Sequence, residues 1–395
     1  MSRIVFKMGS RLILLCGFVA LISESSIFAQ EITTKNLVQQ HGYPFEEYTV
    51  ETEDGYLLGL HRIPCTSGQK CPIAFLNHGL LGSSSDWVLL GPRKAIAYLL
   101  SDAGYDIWLG NARGNTYSRK HVDYNPVPPI GPFWDYTFHE IGLNDLPAMI
   151  DFIRQKTGRN EMHYFGHSLG TSSFFVMSSL KPSYQKYIKS AHMMTPLVYL
   201  EDVTKLFLEI SSKVIALTNP IPTYLAGSTE FKPNAAITLL AAPALCDSQP
   251  VELCSDILFV VDGFDNITVE PAILNQVLAT TPAGISTKSF FHYFQLHESN
   301  VFQQYDYGLL GNMRRYNSRK PPIYPLEKVK VPVFLYYGGK DRLVHVQDID
   351  RIVQGIGNSR GVYRVEIGTH QYLIYGIGVE RTLYDKMLQD VKSIQ

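Results

Sequence analysis

The sequence predicts an α/β fold, a mostly parallel central sheet flanked by helices, interrupted by an inserted, mainly helical cap and lid. Three observations lead to it. Short apolar runs alternate with segments of helical periodicity, the pattern of successive strand–helix–strand units. That alternation breaks after about Leu197 and resumes near Pro325. Of 395 residues, 45% are hydrophobic and only 18% charged, enough apolar material for a sizeable core. A disordered chain is excluded by this balance. A formal net charge of -1 without a basic run argues against nucleic-acid binding, which needs a clustered cationic surface. No internal repeat is visible.

The elements follow in order. Tyr48-Thr49-Val50 and Tyr56 to Ile63 read as strands joined by the turn signal Asp54-Gly55. Ile73 to Leu76 is a short buried strand, followed by a helix with apolar positions Ala95, Ile96, Leu99 and Leu100 that Gly104 closes. Tyr105 to Trp108 is the next strand. Leu146, Met149, Ile150 and Ile153 form a helical stripe ended by Gly158, then Met162 to Phe165 is a strand and Thr171 to Leu180 a helix. Helix-like stretches at Leu206–Leu217 and Ala235–Leu245, broken by Pro220, Pro222 and Pro243, mark the insertion. The α/β rhythm returns with strand Val333 to Tyr337, a helix around Ile349 to Val353, strand Tyr363 to Ile367 and a last helix from about Val379 to Val391. The expected division is residues 1–29 as signal, 30–197 as the first part of the core, 198–325 as cap and lid, and 326–395 as the rest of the core.

Arg3, Lys7 and Arg11 precede an apolar stretch, Leu12 to Ile22, and Ile27-Phe28-Ala29 offers a small residue at a cleavage point. This is the pattern of a secretory signal cut near Ala29 or Gln30. Eleven apolar residues fall short of the ~20 that cross a bilayer, so no membrane anchor is expected in the mature chain. Cys16 would leave with the signal, and Cys65, Cys71, Cys246 and Cys254 would remain. An even number in two local pairs suggests disulfides in an oxidising compartment, with Cys65–Cys71 and Cys246–Cys254 the simplest of three pairings. Neither pair has zinc-knuckle spacing, and no metal or cofactor is implied. Asn266-Ile267-Thr268 is a glycosylation sequon.

The chemistry sits in the turns. Gly166-His167-Ser168-Leu169-Gly170 matches G-x-S-x-G, a motif expected by composition about 0.1 times in a chain this long. It lies between a strand and a helix, where a tight turn would lift the Ser168 hydroxyl off the sheet. The helix aims its N-terminal amides at the place where negative charge develops. A serine nucleophile needs a histidine base and an acid that orients it, and on this architecture the order along the chain is serine, acid, histidine. His78, His163 and His167 precede Ser168, and the side chain of His167 is expected to point away. His192 and His297 precede any convincing late acid. His370, in a loop after a strand, fits; His345, at a helix start, is the weaker rival. Asp341 follows a strand across Gly338-Gly339-Lys340 and is preferred to Asp262, which ends the apolar run Ile257 to Val261 inside the insertion. The backbone N–H groups of Leu80, in the loop His78-Gly79-Leu80-Leu81, and of Leu169 would form the oxyanion hole.

Together these residues resemble the acid lipase family of α/β hydrolases. The likeness extends to Gly42-Tyr43-Pro44, Glu53-Asp54-Gly55-Tyr56, Asn77 to Leu81, Gly104 to Asn111, Arg113-Gly114-Asn115-Thr116, Asp145 to Ala148, Gly263-Phe264-Asp265, Pro282-Ala283-Gly284 and Gly338 to Asp341. It covers nearly the whole mature chain. The resemblance implies hydrolysis of neutral lipid esters at a lipid–water interface, a secreted or lysosomal location, a helical cap with a lid, and Ser168, Asp341 and His370 as the triad. Two positions depart from the mammalian pattern. Leu169 stands in place of a glutamine, and Gln371-Tyr372 lacks an acidic residue two positions after the histidine. An inactive lipid carrier on the same fold is the competing function, but all three triad types are present. A serine peptidase would share the chemistry; only an apolar cap lining would disfavour it.

Overall fold

The computed structural model describes residues 32–67, 70–128, 130–201, 228–231 and 269–394. The signal segment, both stretches Leu206–Leu217 and Ala235–Leu245, Cys246, Cys254, Asp262 and Asn266 lie outside the described residues.

A hairpin opens the sheet. Strands β1 (Glu46–Glu51) and β2 (Tyr56–Ile63) pair antiparallel around Asp54-Gly55, where Gly55 takes φ +90°. Then follow β3 (Ile73–Asn77), β4 (Asp106–Gly110), the short β5 (Lys120–His121), β6 (Met162–His167) and β7 (Ile188–Met194). A two-residue ribbon, β8 (Glu230–Phe231) with β9 (Ile285–Ser286), stands apart from the sheet. Strands β10 (Val333–Gly338) and β11 (Ser359–Val365) complete it. The order is β1-β2-β4-β3-β6-β7-β10-β11, with β5 on β2; all pairings from β4 to β11 are parallel.

Two apolar layers cover this sheet, and the strand period decides which side chain enters which. On β3, Ile73 and Phe75 join one layer, Ala74 and Leu76 the other; on β4, Trp108 goes one way and Ile107 and Leu109 the other. The first layer is closed by helices α3 (Leu146–Thr157) and α4 (Leu169–Leu180). The second is closed by α2 (Ile96–Asp102) and, near the C-terminus, α10 (Asp385–Ser393), with α1 (Thr34–Gln40) beside them. The expected stripe of Leu146, Met149, Ile150 and Ile153 is the buried face of α3. Each such side chain removed from water contributes roughly 1.5–3 kcal/mol. Further described helices are α5 (Pro271–Thr280), α6 (Thr287–Ser299), α7 (Gly308–Tyr316), α8 (Val346–Gly355) and the short α9 (Tyr372–Tyr375), beside a single turn at Phe138–Glu140. None of the described helices is long and apolar enough to cross a membrane.

Three local differences from the sequence reading have physical reasons. Strand β7, at the centre of the sheet, carries Lys189, Ser190 and His192 and therefore lacks the apolar run that marks its neighbours. Strand β11 ends at Val365, two residues early, because its carbonyl is taken by the Gly339 and Gly368 amides in the adjoining turns. The final helix begins as a π-helical stretch, Glu380–Tyr384, before α10. Cys65 and Cys71 are joined by a disulfide that closes the loop between β2 and β3.

Between β4 and β5 runs the segment Asn111–Thr116, which leaves the C-terminal end of β4. Arg113, 1% exposed, holds it there. Its guanidinium donates to both carboxylate oxygens of Asp54 (2.7 and 2.9 Å) and to Asp145 Oδ1 (2.8 Å), while its backbone N–H donates to Asp145 Oδ2 at 3.0 Å. The Tyr56 ring lies 4.0 Å beneath the guanidinium carbon. Burial alone would raise the Asp54 carboxyl, but the Arg113 hydrogen bonds and charge outweigh it and hold that carboxyl below its ordinary range. Removing one partner leaves the other charge buried and uncompensated. Arg113→Met is accordingly expected to destabilise the protein by about 3–5 kcal/mol, read as a lowered urea midpoint. An unchanged midpoint would show that the cluster is solvated.

Candidate active site

Three loops at the C-terminal ends of parallel strands meet here. The first is the turn from β6 into α4. Ser168 occupies it with φ 51° and ψ -111°, a backbone region that side chains other than glycine rarely enter. Such a conformation costs on the order of 1–3 kcal/mol and persists only where its surroundings hold it. Here they do. The Ser168 N–H donates to Met194 O of β7 (3.0 Å), and its carbonyl accepts from the Thr171 amide at 2.9 Å. The turn is also packed too tightly for side chains on either flank. A Cβ at Gly170 would lie 2.4 Å from Asn77 O, and one at Gly166 would lie 3.0 Å from the Gly170 carbonyl carbon.

The second loop follows β10. The Asp341 carboxylate is fixed by two amides, with Oδ1 accepting from Leu343 N (2.8 Å) and Val344 N (3.1 Å). The third follows β11 and carries His370. The two loops are stitched together, since Lys340 N–H donates to Gly368 O at 2.8 Å. This leaves Asp341 Oδ2 free to accept from His370 Nδ1–H at 3.0 Å, and His370 Nε2 faces Ser168 Oγ at 2.9 Å. Ser168, Asp341 and His370 are 3%, 6% and 2% exposed, so the relay is shielded from bulk water. The structure thus brings together the three side chains singled out in the sequence. His345, the rival histidine, caps the N-terminus of α8.

Leu169 is the first residue of α4, and Leu80 follows Gly79 in the turn after β3. Gly79 is pressed against the serine turn, with its would-be Cβ 2.7 Å from His167 Nδ1 and 3.2 Å from Ser168 Cβ.

His167 departs from expectation. Rather than standing apart, it packs its ring 5.3 Å from that of His370, and its Nε2–H donates to His370 O at 3.3 Å. Burial first, then the neighbouring His370, push its pKa well below the ordinary histidine value, so it is a neutral donor. Its place in the motif, next to the serine, is the only sequence signal it gives. His78 is neutral for the same reason, lowered to about 4 by burial. Its Nδ1–H donates to Gly79 O (2.8 Å), and Nε2 accepts from Ala112 N and Asn115 Nδ2, both at 3.1 Å.

A sheet of this order, with a strained serine at the β6–α4 turn, an acid after β10 and a histidine after β11, defines an α/β hydrolase. Residues 34–91 match the partial α/β-hydrolase lipase region and residues 74–215 the α/β hydrolase fold. The chain is 37% identical to Lipase 3 of Drosophila melanogaster over 366 residues, covering 91% of this chain and 92% of that one. It is 36% identical to gastric triacylglycerol lipase of Mus musculus over 370 residues, covering 90% and 91%. The chain belongs to the acid lipase family of α/β hydrolases: it is a lipase, a carboxylic ester hydrolase. Among solved structures, a bacterial membrane phospholipase A shares the fold at TM-score 0.56 and 14% identity, covering 98% of this chain and all of that one. A carboxylesterase of Bacillus subtilis does so at TM-score 0.52 and 14% identity, covering 93% and 96%.

Proposed function

We propose that the protein enters the secretory pathway through the signal at residues 1–29 and hydrolyses neutral lipid esters, triacylglycerols or sterol esters, through an acyl-enzyme. The observation that carries this reading is the continuous relay from Ser168 Oγ through His370 to Asp341. His370 Nε2 takes the hydroxyl proton as Oγ attacks the ester carbonyl, and Asp341 keeps the imidazole in the tautomer that can accept it. The carbonyl electron pair moves to oxygen, where the Leu80 and Leu169 amides stabilise it. His370 then gives its proton to the departing alkoxide, releasing a diacylglycerol or a sterol. Water attacks the acyl ester by the same route and frees the fatty acid. The disulfide Cys65–Cys71 supports an oxidising compartment, with Cys246–Cys254 as a second bridge and Asn266 as the glycan site. Residues 198–325 act as the cap and lid over the serine.

The test pairs a covalent label with a substrate profile. An alkyl fluorophosphonate should modify the peptide carrying Ser168, and the secreted protein should release fatty acid from emulsified trioctanoylglycerol or cholesteryl oleate. Labelling of another residue, or release from water-soluble short-chain esters alone, would overturn the reading.

A further inference from the structure

Side chains of the Arg113-Gly114-Asn115-Thr116 segment reach both ends of the loop that carries Leu80. At the N-terminal end, Asn115 Nδ2 and Ala112 N–H donate to His78 Nε2, each at 3.1 Å, and His78 Nδ1–H donates on to Gly79 O at 2.8 Å. At the C-terminal end the route is longer. Thr116 Oγ1–H donates to Ala283 O at 3.1 Å, and the Ala283 N–H donates to Leu81 O at 2.7 Å. Leu81 takes φ 64°, a left-handed conformation unfavourable for leucine, so something must hold it. The Ala283 amide holds it from outside the turn, alongside the Gly82 N–H that donates to Gly79 O. Asn115 is anchored in turn, because its Nδ2 also donates to Asn111 Oδ1 at 3.0 Å and Asn111 Nδ2 donates to Gly59 O at 3.1 Å.

We infer that Asn115 and Thr116 are positioning residues for ester hydrolysis, acting through His78 and Ala283 to fix the Gly79–Leu81 loop so that the Leu80 amide meets the developing oxyanion. The inference rests on the reading of Leu80 as an oxyanion donor. Its physical basis is that a donor is useful only where the oxyanion will be, and a backbone amide cannot adjust by side-chain rotation. One backbone bond, Gly82 N–H to Gly79 O at 3.1 Å, closes the turn itself, and the bonds to His78 and from Ala283 fix where its two ends lie. The pairing of Thr116 with Ala283 also ties the loop to the segment between α5 and β9.

The test uses Thr116→Val, which removes one hydroxyl from an exposed position and preserves shape, and Asn115→Ala. A trifluoromethyl alkyl ketone adds Ser168 Oγ to its carbonyl carbon, the carbonyl electron pair becoming an oxyanion and the serine proton passing to His370. The matching methyl ketone binds without forming a stable adduct. Both variants should lose about tenfold in kcat on a soluble ester, with KM held within about twofold. Inhibition by the trifluoromethyl ketone should weaken by about the same tenfold factor while the methyl ketone binds as before. Thr116→Ser, which restores the hydroxyl, should recover the loss. Wild-type kcat and trifluoromethyl ketone inhibition in folded Thr116→Val would overturn the positioning role. Should Asn115→Ala fail to fold, the threonine pair decides alone. Turnover surviving in Ser168→Ala would instead bring down the underlying serine mechanism, and with it this inference.

Discussion

Replacing Ser168 by alanine should lower kcat on a soluble short-chain ester by about 10⁶-fold, leaving only the ~10³–10⁴-fold over water that binding and the oxyanion donors supply. The size follows from the relay. Ser168 Oγ is the atom 2.9 Å from His370 Nε2, and without it the base has no nucleophile to activate. The fold should survive, because the exchange removes one hydrogen bond, worth about 0.5–1.5 kcal/mol, and leaves the backbone bonds to Met194 and Thr171 in place. Alanine inherits the same unfavourable φ of 51°, so no strain is relieved. Ser168→Gly relieves it, and this variant should be equally inactive but more stable, by on the order of 1 kcal/mol. The check is kcat together with the thermal midpoint for all three proteins. Comparable turnover in folded Ser168→Ala would transfer the role to another residue.

The parts of this site that were legible in the sequence are those with a local signature. G-x-S-x-G between a strand and a helix announces itself because both glycines answer a steric demand of the turn. The late acid and histidine were found by chain order and by their place after strands β10 and β11, which the apolar runs around them mark. Elements whose residues serve a non-local purpose were not legible. Strand β7 pairs with β6 and β10, yet Ser190 and His192 interrupt its apolar pattern because they belong to a buried hydrogen-bonded chain. That chain runs from His163 through Ser190 and His192 to Tyr336 and Asp390. The contact of His167 with His370 joins positions 203 residues apart, which no spacing rule reaches. Nor does the spacing of Gly338-Gly339 show why both must be glycine. They are required for space, since a Cβ on Gly338 would lie 2.2 Å from Gly368 O and one on Gly339 2.7 Å from Glu366 O.

That crowding bears on the second large effect. Asp341→Asn should reduce kcat by about 10⁴-fold, because the histidine tautomer is no longer fixed. The geometry at the carboxylate dictates how. Oδ1 accepts from the Leu343 and Val344 amides, and Oδ2 from His370 Nδ1–H. An asparagine can keep its single oxygen toward the two amides, which places its NH₂ group against His370 Nδ1. Nδ1 must then accept, so the ring proton moves to Nε2, the atom that has to receive the proton of Ser168. The opposite rotamer turns the NH₂ group onto two backbone donors and abandons both bonds, a loss of about 1–3 kcal/mol for each buried donor left unpaired. The first arrangement is therefore favoured, and the variant folds with its relay reversed. Binding is untouched by this exchange, so KM should stay near the wild-type value while kcat falls. Asp262→Asn, at the rival acid in the insertion, should change kcat little. Measured on folded proteins with one soluble ester, the reverse ranking would assign the orienting carboxylate to Asp262 and leave Asp341 a structural turn residue.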